Sequence, residues 1–114
     1  MSKIALENTF VHYKRGRVTV AMKVLRSGRV AVARTFTLPT DKYDKAEGKD
    51  RALKRLRGFY AQFLTNRRKQ RYQTVYRQRD EDLPGHVLFE VIDPKDLAGS
   101  EKAFFEKRVL PNLE

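Results

Sequence analysis

The strongest constraint on the fold lies between Val18 and Phe36, where bulky apolar residues alternate with small or basic ones on both sides of Arg26-Ser27-Gly28. Successive side chains of a β-strand point to opposite faces, so the alternation sorts cleanly only if the two strands pair in one register. A two-residue loop at Ser27-Gly28 would set Val24 against Ala31 and Lys23 against Val32, mixing both kinds of side chain on both faces. A three-residue loop with Gly28 in the left-handed conformation instead pairs Val24 with Val30, Met22 with Val32, Val20 with Arg34 and Val18 with Phe36. That face is almost entirely apolar. The other carries Arg17, Thr19, Ala21, Lys23, Arg29, Ala31, Ala33 and Thr35, and is expected to face solvent or a partner. Lys14-Arg15-Gly16-Arg17-Val18 echoes Arg26-Ser27-Gly28-Arg29-Val30. The same rule applied at Gly16 sets Phe10 opposite Val20 and His12 opposite Val18, extending the hairpin to a three-stranded antiparallel meander over about residues 8–38.

Pro39 cannot donate to a ladder and ends the third strand. Asp44-Lys45-Ala46-Glu47 has the spacing of a capping box, which predicts a helix over about 45–65. Ala52, Leu53, Leu56, Tyr60, Phe63 and Leu64 recur at helical steps, a stripe expected to lie on the Val/Met/Phe face of the meander. Lys45, Lys49, Arg51, Lys54, Arg55 and Arg57 are left toward solvent. Gly48 and Gly58 each weaken a helix by up to about 1 kcal/mol relative to alanine, so one of them is expected to mark close packing or a close-approaching partner. From Arg71 to Gln78 either a strand or a continued helix fits. Alternation of Tyr72, Thr74 and Tyr76 favours the strand, whereas a helix would gather Tyr72, Val75 and Tyr76 on one side. His86 to Ile92 reads as a central strand broken by Asp93-Pro94. Ser100 is expected to cap a last helix over about 101–110, with Phe104, Phe105, Val109 and Leu110 on its apolar side and Pro111 ending it. The fold class is therefore α+β: a three-stranded antiparallel meander with a basic helix packed on it, two further strands and a C-terminal helix, all in one domain over residues 1–114.

A chain of 114 residues can build one core. It has no cysteine, which excludes a disulfide framework and any thiolate metal site. No apolar run approaches the roughly 20 residues of a membrane helix and no signal-peptide layout opens the chain, so the expected location is the cytoplasm. Charge is unevenly placed. Residues 1–44 hold nine Lys/Arg against three Asp/Glu, residues 45–79 twelve against two, and residues 80–114 four against nine. That order predicts a dipolar molecule with one cationic side, suited to attracting a polyanion.

Catalytic constellations are absent from this reading. His12, on the apolar face, and His86 could supply at most two imidazoles to a metal, and His12 is expected to pack in the core. Ser2, Ser27 and Ser100 sit at a terminus, a turn and a cap, and the glycines form no phosphate-cradling loop. Glu90, Asp93 and Lys95 are the only candidates for a metal-dependent nuclease, and Asp93-Pro94 already has a reading as a strand terminator. Neither enzyme activity, cofactor nor metal is expected.

The binding constellation has more substance. Arg and Lys attract phosphates, and exposed aromatic or guanidinium planes stack on unpaired bases. The candidate nucleic-acid contacts are Lys49, Lys54, Arg55 and Arg57 on the helix, then Arg67, Arg68, Lys69, Arg71, Tyr72, Tyr76 and Arg77 in the segment after it, with Arg17, Lys23 and Arg29 on the exposed meander face. Tyr72 and Tyr76 fit base stacking and core packing equally well. No helix-turn-helix, zinc finger or aromatic RNA-binding signature occurs, which favours phosphate contact over sequence readout. Ala33 through Pro39-Thr40-Asp41-Lys42-Tyr43-Asp44, followed by Gly48 and Arg51-Ala52, resembles a pattern in small uncharacterised bacteriophage-encoded proteins: a hairpin strand, an acidic-aromatic turn and a helix. The resemblance implies phage origin and a bacterial host cytoplasm, and carries over no functional residue. Two partners are open: nucleic acid, either DNA or RNA, or an acidic host protein bound by a phage-encoded regulator or inhibitor of a host nucleic-acid enzyme.

Overall fold

The computed structural model describes residues 8–15, 17–37, 42, 44–66, 76–81 and 86–113. Strands β1 (Thr9–Lys14), β2 (Val18–Val24) and β3 (Val30–Phe36) form the expected meander. Helix α1 (Lys45–Asn66), strands β4 (Tyr76–Arg79) and β5 (Val87–Ile92) and helix α2 (Gly99–Phe104) follow. The five strands make one antiparallel sheet in the order β1-β2-β3-β5-β4, so β5 is internal, as its apolar run required. No helix of the described residues is long and apolar enough to cross a membrane.

The β2–β3 hairpin has the three-residue loop. Val24 pairs with Val30, Met22 with Val32, Val20 with Arg34 and Val18 with Phe36. Gly28 has φ +89°, where a side chain would be strained, and its N–H donates to the Leu25 carbonyl at 2.9 Å. The first hairpin departs from the expected register by two residues, with Phe10 opposite Met22, His12 opposite Val20 and Lys14 opposite Val18. Arg17 takes the left-handed conformation there, with φ 64°. A shift of two leaves every side chain on its predicted face, so the hydrophobic pattern tolerates both registers.

Packing reverses the expected layers. Helix α1 lies on the small-residue face, where Ala21, Ala31 and Ala33 join Ala52, Leu56, Phe63, Phe89 and Val91 in one buried cluster. Bulky helix side chains need shallow partners, and the alanines let the helix approach. The approach is close at Gly48, where a Cβ would stand 2.5 Å from Thr19 Oγ1, while Gly58 has open space around it. The Val/Met face is covered instead by the C-terminal segment. Val20, Met22, Val30, Val32 and Ile92 pack with Leu97, Phe105 and Val109. The sheet is thus sandwiched, and the meander face carrying Arg17, Lys23 and Arg29 is not the open surface expected. These residues are half-buried beside α1, with the Arg29 guanidinium 5.8 Å from the centre of the Phe63 ring.

Asp44 caps α1, its Oδ1 accepting from the N–H groups of Ala46 at 2.9 Å and Glu47 at 3.3 Å. Ser100 does not cap α2. The capping position is Ala98, which makes no side-chain cap bond, and Ser100 lies inside the helix. Helix α2 continues as a π-helical turn (Phe105–Val109) and a 3-10 turn (Leu110–Asn112) containing Pro111. Phe105 and Val109 are buried as expected, whereas Leu110 is exposed. Within the segment open between strand and helix, Tyr76 to Gln78 belong to β4, and residues 71–75 lie outside the described residues.

Candidate nucleic-acid interface

Because the apolar stripe of α1, apart from the exposed Leu64, is turned onto the sheet, its outer side exposes Lys45, Lys49, Arg51, Lys54 and Arg57 against Glu47 and Asp50. Lys54 and Asp50 form an (i, i+4) pair at 3.0 Å, with both side chains more than half exposed. Such a pair stabilises by only a few tenths of a kcal/mol, so it yields easily to a competing anion. Arg55, predicted to join this face, does not. It is half-buried, and its Nη1 donates to the Arg34 carbonyl at 2.8 Å, tying the helix to β3. Burial, then the neighbouring Arg51, lower its pKa, partly opposed by Asp80.

The predicted contacts Arg67, Arg68, Lys69, Arg71 and Tyr72 lie outside the described residues. Tyr76 and Arg77 are carried by the edge strand β4, and Arg77 Nε donates to Glu90 Oε2 at 2.9 Å. Arg77 therefore belongs to a charge cluster on the Val/Met side of the sheet, on the opposite face from α1. At its centre, Arg34 donates from Nε to Glu101 Oε2 at 2.8 Å, from Nη2 to Glu101 Oε1 and Glu90 Oε1, and from Nη1 to the Val87 carbonyl at 3.3 Å. Lys14 Nζ adds a bond to Glu101 Oε2 at 3.0 Å. Burial alone would push the Glu101 carboxyl up, but the hydrogen bonds and charges of Arg34 and Lys14 outweigh it and hold its pKa below the usual range. Burial likewise works against the Arg34 guanidinium, and Glu101 with Glu90 more than offsets it.

The sequence reading missed this cluster, although one signal was present. Arg34 is the single charge among the inward residues of the β2–β3 pairing, and a charge in that position needs a partner. The partners come from β5 and α2, distant in the chain. Of the candidate nuclease trio, Glu90 is held by two arginines and Asp93 accepts from the Lys95 N–H at 3.1 Å as a turn cap. Among the described residues no group of His, Asp and Glu could hold a metal. His12 stacks on Phe104 with ring centres 4.5 Å apart, and its Nε2 is buried without a hydrogen-bond partner among the described residues. Burial lowers its pKa, opposed by Glu101 and reinforced by Lys14. His86 stacks on Phe36 at 4.4 Å.

Burial reduces the acidic character of the last third. Glu90 and Glu101 are turned inward, while Lys102, Lys107 and Arg108 are exposed alongside Glu106 on the C-terminal segment. The surface there is less acidic than the residue order implies. Comparison with protein families, curated proteins and solved structures yields no match, so the functional reading stands on the residues themselves.

Proposed function

We propose that the protein binds DNA or RNA without catalysing a reaction on it, through phosphate contacts along the outer side of α1 and the Arg/Lys run that follows it. One observation carries the reading: Lys49, Arg51, Lys54 and Arg57 stay exposed on a helix whose Ala52, Leu56 and Phe63 are buried against the sheet. At a rise of 1.5 Å per residue they cover about 12 Å of helix axis, enough to meet several phosphates of one strand. Arg67, Arg68, Lys69 and Arg71 extend the same charge along the chain. Nothing in this arrangement reads base edges, so affinity should depend on salt and little on sequence.

Fluorescence anisotropy with labelled duplex DNA, single-stranded DNA and RNA over a salt series tests it. The log–log slope should become shallower by about 0.7 to 0.9 for each phosphate contact removed. Lys49→Gln, Lys54→Gln and Arg57→Gln together should flatten the slope with an unchanged circular dichroism spectrum, and Arg67, Arg68, Lys69 and Arg71 changed to Gln should act alike. Unchanged affinity of both variants at every salt concentration overturns the proposal, and a stoichiometric, nuclease-resistant host protein captured instead would replace it.

A further inference from the structure

The charge cluster on the far side of the sheet floors a cleft of about 460 Å³ lined by Lys14, Arg34, Phe36, Arg77, Glu90 and Glu101, among others. That volume lies in the range of small-ligand sites. The groups on its floor have different tasks. Arg34 uses four of its five donors, from its Nε and both terminal nitrogens, and each oxygen of Glu90 and Glu101 already accepts. Lys14 and Arg77 are different. Among the described residues each makes one side-chain bond, to Glu101 and to Glu90 respectively, out of the three and five donors that lysine and arginine carry. Their side chains are 30% and 39% exposed, so the remaining donors reach the cleft.

Arg79 and Asp96 also line the cleft, so four cations face three carboxylates and leave one surplus positive charge in a partly desolvated place, where an anion is worth more than in water. Glu101 and Glu90 hold Lys14 and Arg77 in position, reducing the side-chain entropy lost on binding. Phe36 lines the same cleft, its ring stacked on His86, and supplies an apolar surface for a flat group. We infer that this cleft binds a phosphate monoester attached to a nucleoside, its phosphate on Lys14 and Arg77 and its base toward Phe36. A monoester offers three terminal oxygens to the donors of Lys14 and Arg77, against two on a diester. The site lies across the sheet from the outer side of α1 and stands whether or not α1 binds nucleic acid.

Isothermal titration calorimetry with a nucleoside 5′-monophosphate, the matching nucleoside and inorganic phosphate tests the inference. The monophosphate should bind at one equivalent, phosphate should compete more weakly, and the nucleoside should not bind measurably. Lys14→Gln with Arg77→Gln should weaken the monophosphate at least tenfold. Ala98→Phe, which fills the cleft from an exposed position on its wall and leaves every member of the ion pairs in the sequence, should do the same even if the double variant unfolds. Lys54→Gln with Arg57→Gln should leave the affinity unchanged. Tighter binding of a 5′-phosphorylated than a 5′-hydroxyl oligonucleotide assigns the monoester to a strand end, and equal binding assigns it to the free nucleotide. Equal binding of nucleoside and monophosphate, no binding of any phosphate probe, or full affinity in the Ala98→Phe variant overturns it.

Discussion

Helix α1 carries two glycines that make opposite predictions for one substitution. Replacing glycine by alanine in a helix favours folding by about 1 kcal/mol through backbone entropy. At Gly58 the added methyl meets nothing within 4 Å, so Gly58→Ala should gain that amount. At Gly48 the methyl would stand 2.5 Å from Thr19 Oγ1 and 3.4 Å from Thr19 Cβ. Thr19 has little room to give way, because it is β-branched, buried, and paired on β2 with Tyr13 on one side and Thr35 on the other. Overpacking of this kind costs about 1–3 kcal/mol. Propensity cancels between the two variants, so their difference isolates the clash. At about 4 °C per kcal/mol for a domain of this size, Gly58→Ala should melt about 4–12 °C above Gly48→Ala. Urea unfolding should give the same ordering, and in a Thr19→Ala background the penalty at position 48 should vanish, a coupling of about 1–3 kcal/mol between the two sites. If Gly48→Ala is as stabilising as Gly58→Ala, or its penalty survives unchanged when combined with Thr19→Ala, then α1 does not rest on Thr19 and the packing argument fails.

Two further perturbations address the buried charges. Glu101→Ala leaves the buried Arg34 guanidinium with Glu90 and the Val87 carbonyl alone and should cost about 1–3 kcal/mol in urea unfolding, and a loss under about 0.5 kcal/mol would refute the buried pairing. Because the folded-state pKa of Glu101 is held below its ordinary 4.5, its contribution is present above that value and fades as pH falls through the lower one, so the acid limb of the wild-type stability curve should flatten in Glu101→Gln. His12 has a folded-state pKa below its ordinary 6.5, so protonation disfavours the fold and stability should drop as pH falls below that value. His12→Phe keeps a ring against Phe104 and should remove the drop between neutral pH and about pH 5, and an identical pH profile in the variant would contradict the burial of Nε2.

How much of this was legible depends on what each pattern distinguishes. The Gly28 register was readable because a slip of one residue scrambles both faces of the hairpin. The register at Arg17 was not, because a slip of two preserves the faces and only turn chemistry separates the choices. The helix was readable from its stripe and its Asp44 cap, but its resting face was misjudged by equating bulk with core. Ala52, Leu56 and Phe63 fit against Ala21, Ala31 and Ala33 because large side chains need shallow ground. Two apolar helices and one sheet also imply two covered faces, and the Val/Met face had Phe105 and Val109 available to it. Exposure of Lys49, Lys54 and Arg57 followed from the helical wheel, whereas Arg55 stands at the margin of the stripe, where tertiary contact decides.

The acidic last third resists a block-by-block reading for a related reason. Glu101 reaches Arg34 across 67 residues of sequence and Glu90 reaches it across 56. Charge counted along the chain assigns both acids to a negative surface, yet their function in the fold is to permit Arg34 inside the sheet and to fix Lys14 and Arg77 at the edge of a cleft. Each acid drawn inward in this way leaves the exterior more cationic than its own segment suggests. The outer side of α1 and the donors of Lys14 and Arg77 are thus two products of one distribution: carboxylates placed where burial requires them, and cations left where an anion can reach.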